Sequence, residues 1–247
     1  NLESIFYPVP IHDALEAVPA DIHERTYYGN PIQSDGEDDT IQKALSLLDE
    51  EVKVPATSLC LYKRIPQAAG LGGGSADGTF ALSLLNQIHR LGVSETTLAR
   101  LSQQIGSDCP FFLANQPALV TGAGEKLEPI SLDLSAYYFG LVAPAYSIST
   151  KAAYQRISPG KPQISVREAV QQPVSEWPSL LSNDFEAYAF AMIPPLQEIK
   201  HTLYDHGALF ASMTGSGSAF FGIFEQEPNL KDRSWPAGYQ VFEGRFK

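Results

Sequence analysis

A cluster of glycines lies directly before an apolar helical pattern in this sequence. In the stretch PQAAGLGGGSADG, five glycines fall between Gly70 and Gly78, and Ala81, Leu84 and Leu85 then recur at helical spacing. Glycine lets the main chain approach a ligand closely, and the amino end of a helix offers free N–H groups and the positive end of the helix dipole. This combination favours the binding of a phosphate group.

Two common phosphate-binding loops do not fit the spacing of these glycines. A Walker A loop has Lys directly after its last glycine, and the residue here is Ser75. The dinucleotide fingerprint G-x-G-x-x-G has glycine at its sixth position, which is Ser75 counted from Gly70 and Asp77 counted from Gly72. The alternative without a ligand is a tight turn with Ser75 as the helix N-cap. Three consecutive glycines carry a high cost in backbone entropy, which favours a ligand site in which the Ser75 hydroxyl faces phosphate or a bound metal ion.

Asp108, in the stretch GSDCPFFL, is a candidate general base. A carboxylate accepts the proton of an attacking hydroxyl when a nearby cation orients it. The place of Asp108 two residues before Pro110 fits a helix cap equally well, so the local residues leave both interpretations open.

Two further stretches have residue types suited to ligand contact. Thr150 and Tyr154 are four residues apart, so on a helix they share one face. The glycines of TGSGSAF, residues 214–220, allow close approach of the main chain to a ligand, and a tight hairpin turn is the equal alternative. For Tyr154 the alternative is packing at a domain interface.

The periodicity of apolar residues predicts a mixture of strands and helices without a regular βαβ repeat. The predicted helices are 40–48, 81–91, 94–105, 182–192 and 195–206. The predicted strands are 57–66, a hairpin around 122–124, 136–144, a strand pair within 208–224, and 238–246, and residues 5–11 are predicted to be an edge strand or an irregular extended segment. This mixture predicts an α+β fold with two domains, residues 1–134 and residues 135–247.

The composition argues against several classes of partner. The net charge is −11 and the pI is near 4.8, which disfavours non-specific nucleic-acid binding and docking to anionic membranes. Cys60 and Cys109 stand in apolar surroundings at unrelated positions, as expected of free thiols in a reducing cytosol. The five histidines lack metal-ligand spacing, and residues 37–39 are interpreted as a solvated acidic loop.

Over nearly its whole length the chain resembles the GHMP small-molecule kinases. PQAAGLGGGSAD is similar to the phosphate loop of that family, commonly P-x-x-x-G-L-G-S-S-A. In the same order, GSDCPFFL resembles the family's G-A/S-D-V-P-F-F segment, YSISTKAAY its substrate segment, SNDFE its N-D-L/F-E helix start, and MTGSGSAFFGIF its third motif, M-T-G-S-G-x-x-x-F. The triple glycine is most similar to members that phosphorylate the 2-hydroxyl of a cytidine diphosphate-linked methylerythritol.

The resemblance implies a fold and a set of site residues. The expected fold has a ribosomal S5 domain 2-like N-terminal domain and a ferredoxin-like C-terminal domain. Asp108 is implied as the catalytic base, and Tyr154 is implied to stack on the cytosine ring. The residues implied to bind ATP are Lys63, Pro66, Gln67, Ala68, Ala69, Gly70, Leu71, Gly72, Gly73, Gly74, Ser75 and Ala76, and those implied to bind substrate are Thr150, Tyr154, Gly215, Ser216 and Gly217. We expect no protein metal site, because Mg²⁺ would arrive with ATP, held mainly by phosphate oxygens and waters.

The implied protein is a cytoplasmic kinase, a monomer or a homodimer, acting on a small cytidine diphosphate-linked substrate. A GHMP kinase of homoserine or mevalonate type and a non-catalytic nucleotide-binding relative are the alternatives, and for Lys63 the alternative is a solvated strand end. The family's A-K-x-N strand, with its catalytic Lys, and its D-G-Y-H segment are absent from this sequence, and we expect them before Asn1 in the natural chain. Ser218 and Ala219 stand where the family often has Pro and then Thr or Ser.

Overall fold

The computed structural model describes residues 2–31, 39–157 and 164–247. The chain divides into two compact units. The first consists of Asn1–Pro8, His12–Gln67 and Gly72–Ile130, and the second of Val9–Ile11, Ala68–Leu71 and Ser131–Lys247. The units part at Ile130 and Ser131, whereas the sequence analysis placed the boundary between residues 134 and 135, which stays a prediction.

The described strands of the first unit form two sheets. One has the order β1 (Leu2–Phe6), β5 (Ala118–Gly122), β6 (Lys126–Pro129), and both of its pairs are antiparallel. The other has the order β2 (Ala14–Pro19), β4 (Thr57–Lys63), β3 (Glu24–Gly29), with β4 antiparallel to β2 and parallel to β3. Alternate side chains of β4 are buried, and the last of these is the charged Lys63.

The helices of the first unit share one apolar core with β4. They are α1 (Thr40–Glu51), α2 (Gly73–Ile88), α3 (Glu95–Ile105) and α4 (Cys109–Ala114). Asp39 caps α1, because its side chain accepts hydrogen bonds from the N–H groups of Ile41 and Gln42. Ser94 caps α3 in the same way, with a hydrogen bond from the N–H group of Thr97. The core includes Leu45, Leu48, Leu59, Leu61, Leu82, Leu85 and Leu101.

The second unit contains an antiparallel sheet with helices packed on it. The strand order is β10 (Gln240–Arg245), β7 (Tyr138–Ala143), β9 (Phe220–Phe224), β8 (Phe210–Met213), which makes β8 an edge strand. The described helices are α5 (Thr150–Arg156), α6 (Val166–Ala169), α7 (Trp177–Leu180), α8 (Glu186–Met192) and α9 (Pro195–Asp205). Phe220, Phe224, Leu196 and Leu203 are central to its core.

Many of the observed elements agree with the predicted ones, and several others were missed. Apolar periodicity predicted α1, α2, α3, α8 and α9, strands β4 and β7 to β10, and the hairpin of β5 and β6. The predicted extended segment at 5–11 overlaps β1 only at Ile5 and Phe6. Strand β3 was missed because its six residues are all exposed and show no alternation. The acidic loop falls mostly outside the described residues, since only Asp39 is described.

None of the helices in the described part of the chain is long and apolar enough to cross a membrane.

Candidate active site

The loop between β4 and α2 leads into a helix end that no side chain caps. Gly70 and Gly72 have positive φ angles of 75° and 67°, and Gly72 is the N-cap residue of α2 without a side-chain hydrogen bond. The alternative that Ser75 is the N-cap is wrong, because the left-handed Gly72 starts the helix earlier and leaves Ser75 inside the first turn. The first N–H groups of a helix have no partner within it, so this turn retains donors for an acceptor from outside.

Most of the glycines in the loop are required by packing within the protein. A side-chain carbon at Gly70 would lie 2.2 Å from the carbonyl oxygen of Thr214, one at Gly72 would lie 2.9 Å from the ring of Phe112, and one at Gly73 would lie 2.8 Å from Ile65. Gly74 differs, because a side-chain carbon there would meet only Thr40, at 4.0 Å, among the described residues. The open side of the loop is therefore at Gly74, on the first turn of α2.

Lys63 is buried and paired with two carboxylates. Its ammonium contacts Asp13 and lies 2.6 Å from Oδ2 of Asp77, and it would lie 3.0 Å from a side-chain carbon at Gly73. The second oxygen of Asp13 accepts hydrogen bonds from the main-chain N–H groups of Arg64, at 2.5 Å, and Ile65, at 2.8 Å. The three charged groups thus tie the end of β4 and the start of the loop to α2, whereas the predicted contact of Lys63 with a nucleotide stays a prediction.

Asp77 carries an altered pKa in this cluster. Burial raises the pKa of its carboxyl to about 6, the Lys63 ammonium opposes this rise, and the Asp13 carboxylate adds to it. The sequence analysis missed both aspartates. Asp13 stands fifty positions before Lys63 in the chain, so no local pattern links the two.

Asp108 lies at the start of α4, where its side chain makes no capping hydrogen bond. Its carboxylate is partly exposed, and Oδ1 accepts a hydrogen bond from Ser107 Oγ at 3.1 Å. A side-chain carbon at Gly124, in the turn between β5 and β6, would lie 3.3 Å from the same oxygen. Asp108 therefore occupies the N-cap position of α4, as the helix-cap alternative expected, but its side chain does not cap the helix. The carboxylate faces a turn that has no side chain at the position of closest approach.

The segment that contains Asp108 packs against the first turns of α2. The Thr79 hydroxyl lies 2.8 Å from the Ser75 carbonyl oxygen and 3.0 Å from that of Cys109. The ring of Phe112 fills the space beside Gly72. These contacts place the candidate base on the element next to the uncapped helix end.

The predicted substrate residues form a separate cluster in the second unit. Ser149 caps α5, and the hydroxyl of Thr150 lies 3.0 Å from that of Ser216. Tyr154 is 50% exposed and meets Phe185 edge to face, with ring centroids 4.9 Å apart. The structure thus brings Thr150 to the predicted glycine turn, and leaves half of the Tyr154 surface exposed.

The predicted glycine turn is compact. The N–H of Gly217 donates to the carbonyl oxygen of Thr214 at 2.9 Å, and Gly215 and Gly217 have positive φ angles of 50° and 98°. A side-chain carbon at Gly217 would lie 2.7 Å from Met213 Sδ and 3.0 Å from Ile148. Within the described residues, no group of three or more His, Cys, Asp or Glu side chains is arranged to hold a metal ion.

Two protein-family models match this chain. "GHMP kinases N terminal domain" matches residues 39–122, which include the loop and Asp108, and "GHMP kinases C terminal" matches residues 166–235. A relative from Parabacteroides distasonis is 42% identical over 99% of this chain and 90% of its own length. This chain belongs to the GHMP kinase family. The predicted α+β GHMP kinase fold is therefore confirmed.

Several curated relatives share one name. Those from Parabacteroides distasonis and Bacteroides thetaiotaomicron are each named "4-diphosphocytidyl-2-C-methyl-D-erythritol kinase", and the second is 41% identical over 99% of this chain and 91% of its own length. A crystal structure of 4-(cytidine 5'-diphospho)-2C-methyl-D-erythritol kinase is 29% identical, with a TM-score of 0.74, over 90% of this chain and 80% of that one. The mevalonate kinase of Methanococcus jannaschii shares the fold, with a TM-score of 0.76 at 12% identity over 99% of this chain and 92% of that one.

Gly70→Ala should destabilise the protein more than Gly92→Ala. Both residues have similar positive φ angles, of 75° and 71°, so both variants carry the left-handed penalty of about 1–2 kcal/mol. Only Gly70 also faces a carbonyl oxygen at 2.2 Å, whereas nothing lies within 4 Å of a side-chain carbon at Gly92. Urea unfolding measures the two losses of stability, and equal losses would contradict the contact with Thr214.

Asp77→Asn should remove a pH dependence of stability. The folded pKa of about 6 lies above the ordinary value of 3.8, so the folded state holds this proton more tightly, and its stability falls as the pH rises from about 4 to 6. The free energy of unfolding of the wild type should therefore fall relative to that of Asp77→Asn, by on the order of 2 kcal/mol, over this range. Urea unfolding at several pH values measures this difference. A difference that is constant or rises with pH would contradict the raised pKa.

Proposed function

We propose that this protein transfers the γ-phosphate of ATP to the 2-hydroxyl of 4-diphosphocytidyl-2-C-methyl-D-erythritol. The products are the 2-phosphate and ADP, in the methylerythritol phosphate route to isoprenoids. Relatives with this activity in their names are 41–42% identical over 99% of the chain. The structural observation that carries the proposal is the packing of the Asp108 segment on the uncapped end of α2 through Thr79. Phosphoryl transfer to an alcohol requires both a phosphate-binding site and a group that orients the hydroxyl.

The amino end of α2 fits the phosphates of ATP. Its first-turn N–H groups have no side-chain cap, and the space beside Gly74 is open. We assign phosphate binding to the N–H groups of Gly72–Ser75, with the other residues of Pro66–Ala76 shaping the loop. Lys63 fixes this loop through its two carboxylate partners. Mg²⁺ bound to ATP supplies neutralisation of phosphate charge, and its ligands are expected to be phosphate oxygens and waters.

Asp108 is assigned as the general base. Its carboxylate is partly exposed and is not used in a helix cap, so it is available to accept the proton of the substrate hydroxyl. Ser107 holds one of its oxygens by a hydrogen bond at 3.1 Å, which limits its rotation. Gly124 lies beside the same oxygen, and its lack of a side chain avoids crowding the carboxylate, since a side-chain carbon there would lie 3.3 Å from Oδ1.

The second-unit cluster is assigned to the substrate. Thr150, Gly215, Ser216 and Gly217 offer a hydroxyl pair and main-chain groups at one turn. Tyr154 is assigned to stack on the cytosine ring, because an aromatic face suits a nucleobase and Phe185 holds the tyrosine ring from its edge. Cys60 and Cys109 are free thiols, which suits a reducing compartment, and we propose the cytoplasm.

A panel of acceptors tests the proposed reaction. Purified full-length protein is given ATP, Mg²⁺ and, in separate reactions, 4-diphosphocytidyl-2-C-methyl-D-erythritol, homoserine, mevalonate or galactose, and ADP release is measured. We expect turnover with the cytidine substrate alone and a product phosphorylated at the 2-hydroxyl. Turnover with another acceptor, or ATP binding without transfer to any of them, would contradict the proposal.

Asp108→Asn should lower kcat by about 10²–10⁴-fold, because the amide accepts no proton from the hydroxyl. AMPPNP affinity and melting temperature should stay close to those of the wild type, since Asp108 makes no capping bond. Asp21→Asn, an exposed substitution of the same kind, is the control and should retain kcat. A near-normal kcat for Asp108→Asn would remove the base assignment.

A further inference from the structure

The side chain of Asn183 serves two structures at once. Its Oδ1 accepts a hydrogen bond from the N–H of Phe185 at 2.9 Å, in the turn that leads into α8. Phe185 is the N-cap residue of α8 and no side chain caps the helix, so Asn183 fixes the turn before the helix and does not cap it. Its Nδ2 donates to the carbonyl oxygens of Met213 and Gly215, both at 2.8 Å. The amide group therefore joins the start of α8 to the Thr214–Gly217 turn.

Glu186, one turn further along, holds the strand that leads into this turn. It is 8% exposed, and its Oε1 accepts the N–H bond of Met213 at 2.9 Å. Because β8 is an edge strand, this N–H faces away from β9 and needs a partner from outside the sheet. Lys200 lies 2.6 Å from the second carboxylate oxygen and compensates its buried charge.

The Thr214–Gly217 turn and the residue Ala219 that follows it fix part of the phosphate loop. The carbonyl oxygen of Ala69 accepts one hydrogen bond from Thr214 Oγ1 at 2.8 Å and another from the N–H of Ala219 at 3.1 Å. The next residue is Gly70, which has no room for a side chain against Thr214. All of these residues belong to the second unit.

We infer that Asn183 and Glu186 are positioning residues for the nucleotide site. They hold the Thr214–Gly217 turn from the start of α8, and the turn holds Ala69 and Gly70 in the conformation that leads into Gly72. This inference rests on the proposed function, which assigns the loop to ATP phosphates. It predicts that nucleotide affinity depends on Asn183 and Glu186, although their hydrogen bonds are made to the turn and to β8.

Asn183→Asp separates the two roles of Asn183. Aspartate keeps the oxygen that accepts the hydrogen bond from the Phe185 N–H, but it removes both N–H donors and places a carboxylate opposite two carbonyl oxygens. We expect the dissociation constant of AMPPNP with Mg²⁺ to rise about tenfold or more, as a loss of one to two such hydrogen bonds implies. Isothermal titration calorimetry measures this constant without an acceptor substrate.

Asn86→Asp is the matched control. Asn86 also accepts and donates one hydrogen bond each, with the N–H and the carbonyl oxygen of Val93, both at 3.0 Å. The same substitution there removes a donor and keeps an acceptor near the end of α2, away from its first turn. AMPPNP affinity should stay within about twofold of the wild type while the melting temperature falls. Equal weakening in both variants would overturn the inference.

Thr214→Val tests whether the effect travels through the turn. Valine keeps the shape of threonine and removes the donor to Ala69, so AMPPNP affinity should fall, and Thr214→Ser should restore it. If Asn183 acts through this contact, Asn183→Asp should weaken binding little further in a protein that already carries Thr214→Val. Full additivity of the two losses would overturn the inference.

Glu186→Gln provides a second variant if Asn183→Asp does not fold. Glutamine keeps an acceptor for the Met213 N–H and loses the charge pair with Lys200, so a rise of about threefold or more in the AMPPNP dissociation constant is expected. An unchanged constant would overturn the role of Glu186.

The failure of this inference is distinguishable from the failure of the proposed function. If the wild type binds AMPPNP but does not phosphorylate the cytidine substrate, only the proposed function is contradicted. If the variants bind AMPPNP as tightly as the wild type does, only this inference is contradicted.

Discussion

The uncapped first turn of α2 is the constraint on which the rest of the site depends. Helix N–H groups without internal partners require acceptors. The carbonyl oxygen of Gly72 accepts the N–H of Ala76, but no side chain caps the earlier N–H groups of this turn. The protein instead fixes the chain on each side of this turn. Lys63, Asp13 and Asp77 hold residues 63–77 by a buried ionic cluster, and Thr214 and Ala219 hold the carbonyl oxygen of Ala69.

This arrangement lowers the cost of binding a triphosphate. A loop of several glycines would lose much conformational freedom if it became ordered only on contact with a ligand. In this structure the hydrogen bonds and close contacts have already ordered it, so the N–H groups point in fixed directions before nucleotide arrives. The same preorganisation links side chains that are distant in sequence to the phosphate loop. The carboxylates around Lys63 and the amide of Asn183 are proposed to hold the loop whose main-chain N–H groups bind phosphate.

Sequence predicted the location of the site better than its construction. The glycine stretch and the amphipathic pattern after it identified the loop and α2, because both signals are local. The reason for the glycines was only partly predicted: ligand approach was expected for the whole run, whereas Gly70, Gly72 and Gly73 are each required by packing and Gly74 has the open side. Ser75 was a reasonable N-cap by residue type, but a left-handed glycine three residues earlier starts the helix.

Contacts between distant parts of the chain lay beyond local patterns. Asp13 reaches Lys63 across fifty residues, and Asn183 reaches Met213 across thirty, so neither pairing leaves a periodic signal. The resemblance of SNDFE to a helix start located the beginning of α8, because that signal is local, whereas the donor bonds of Asn183 to the distant turn left no such signal. Strand β3, exposed along its length, likewise carries no alternation that could identify it.

Hydrogen exchange of the first turn of α2 tests the central claim most directly. Amide exchange of residues 72–75 is measured by mass spectrometry with and without saturating AMPPNP and Mg²⁺, with the first turn of α3, already capped by Ser94, as an internal reference. Phosphate accepted by these N–H groups predicts slower exchange in residues 72–75 and little change at α3. Unchanged exchange in residues 72–75 at a nucleotide concentration that calorimetry shows to be saturating would contradict the account.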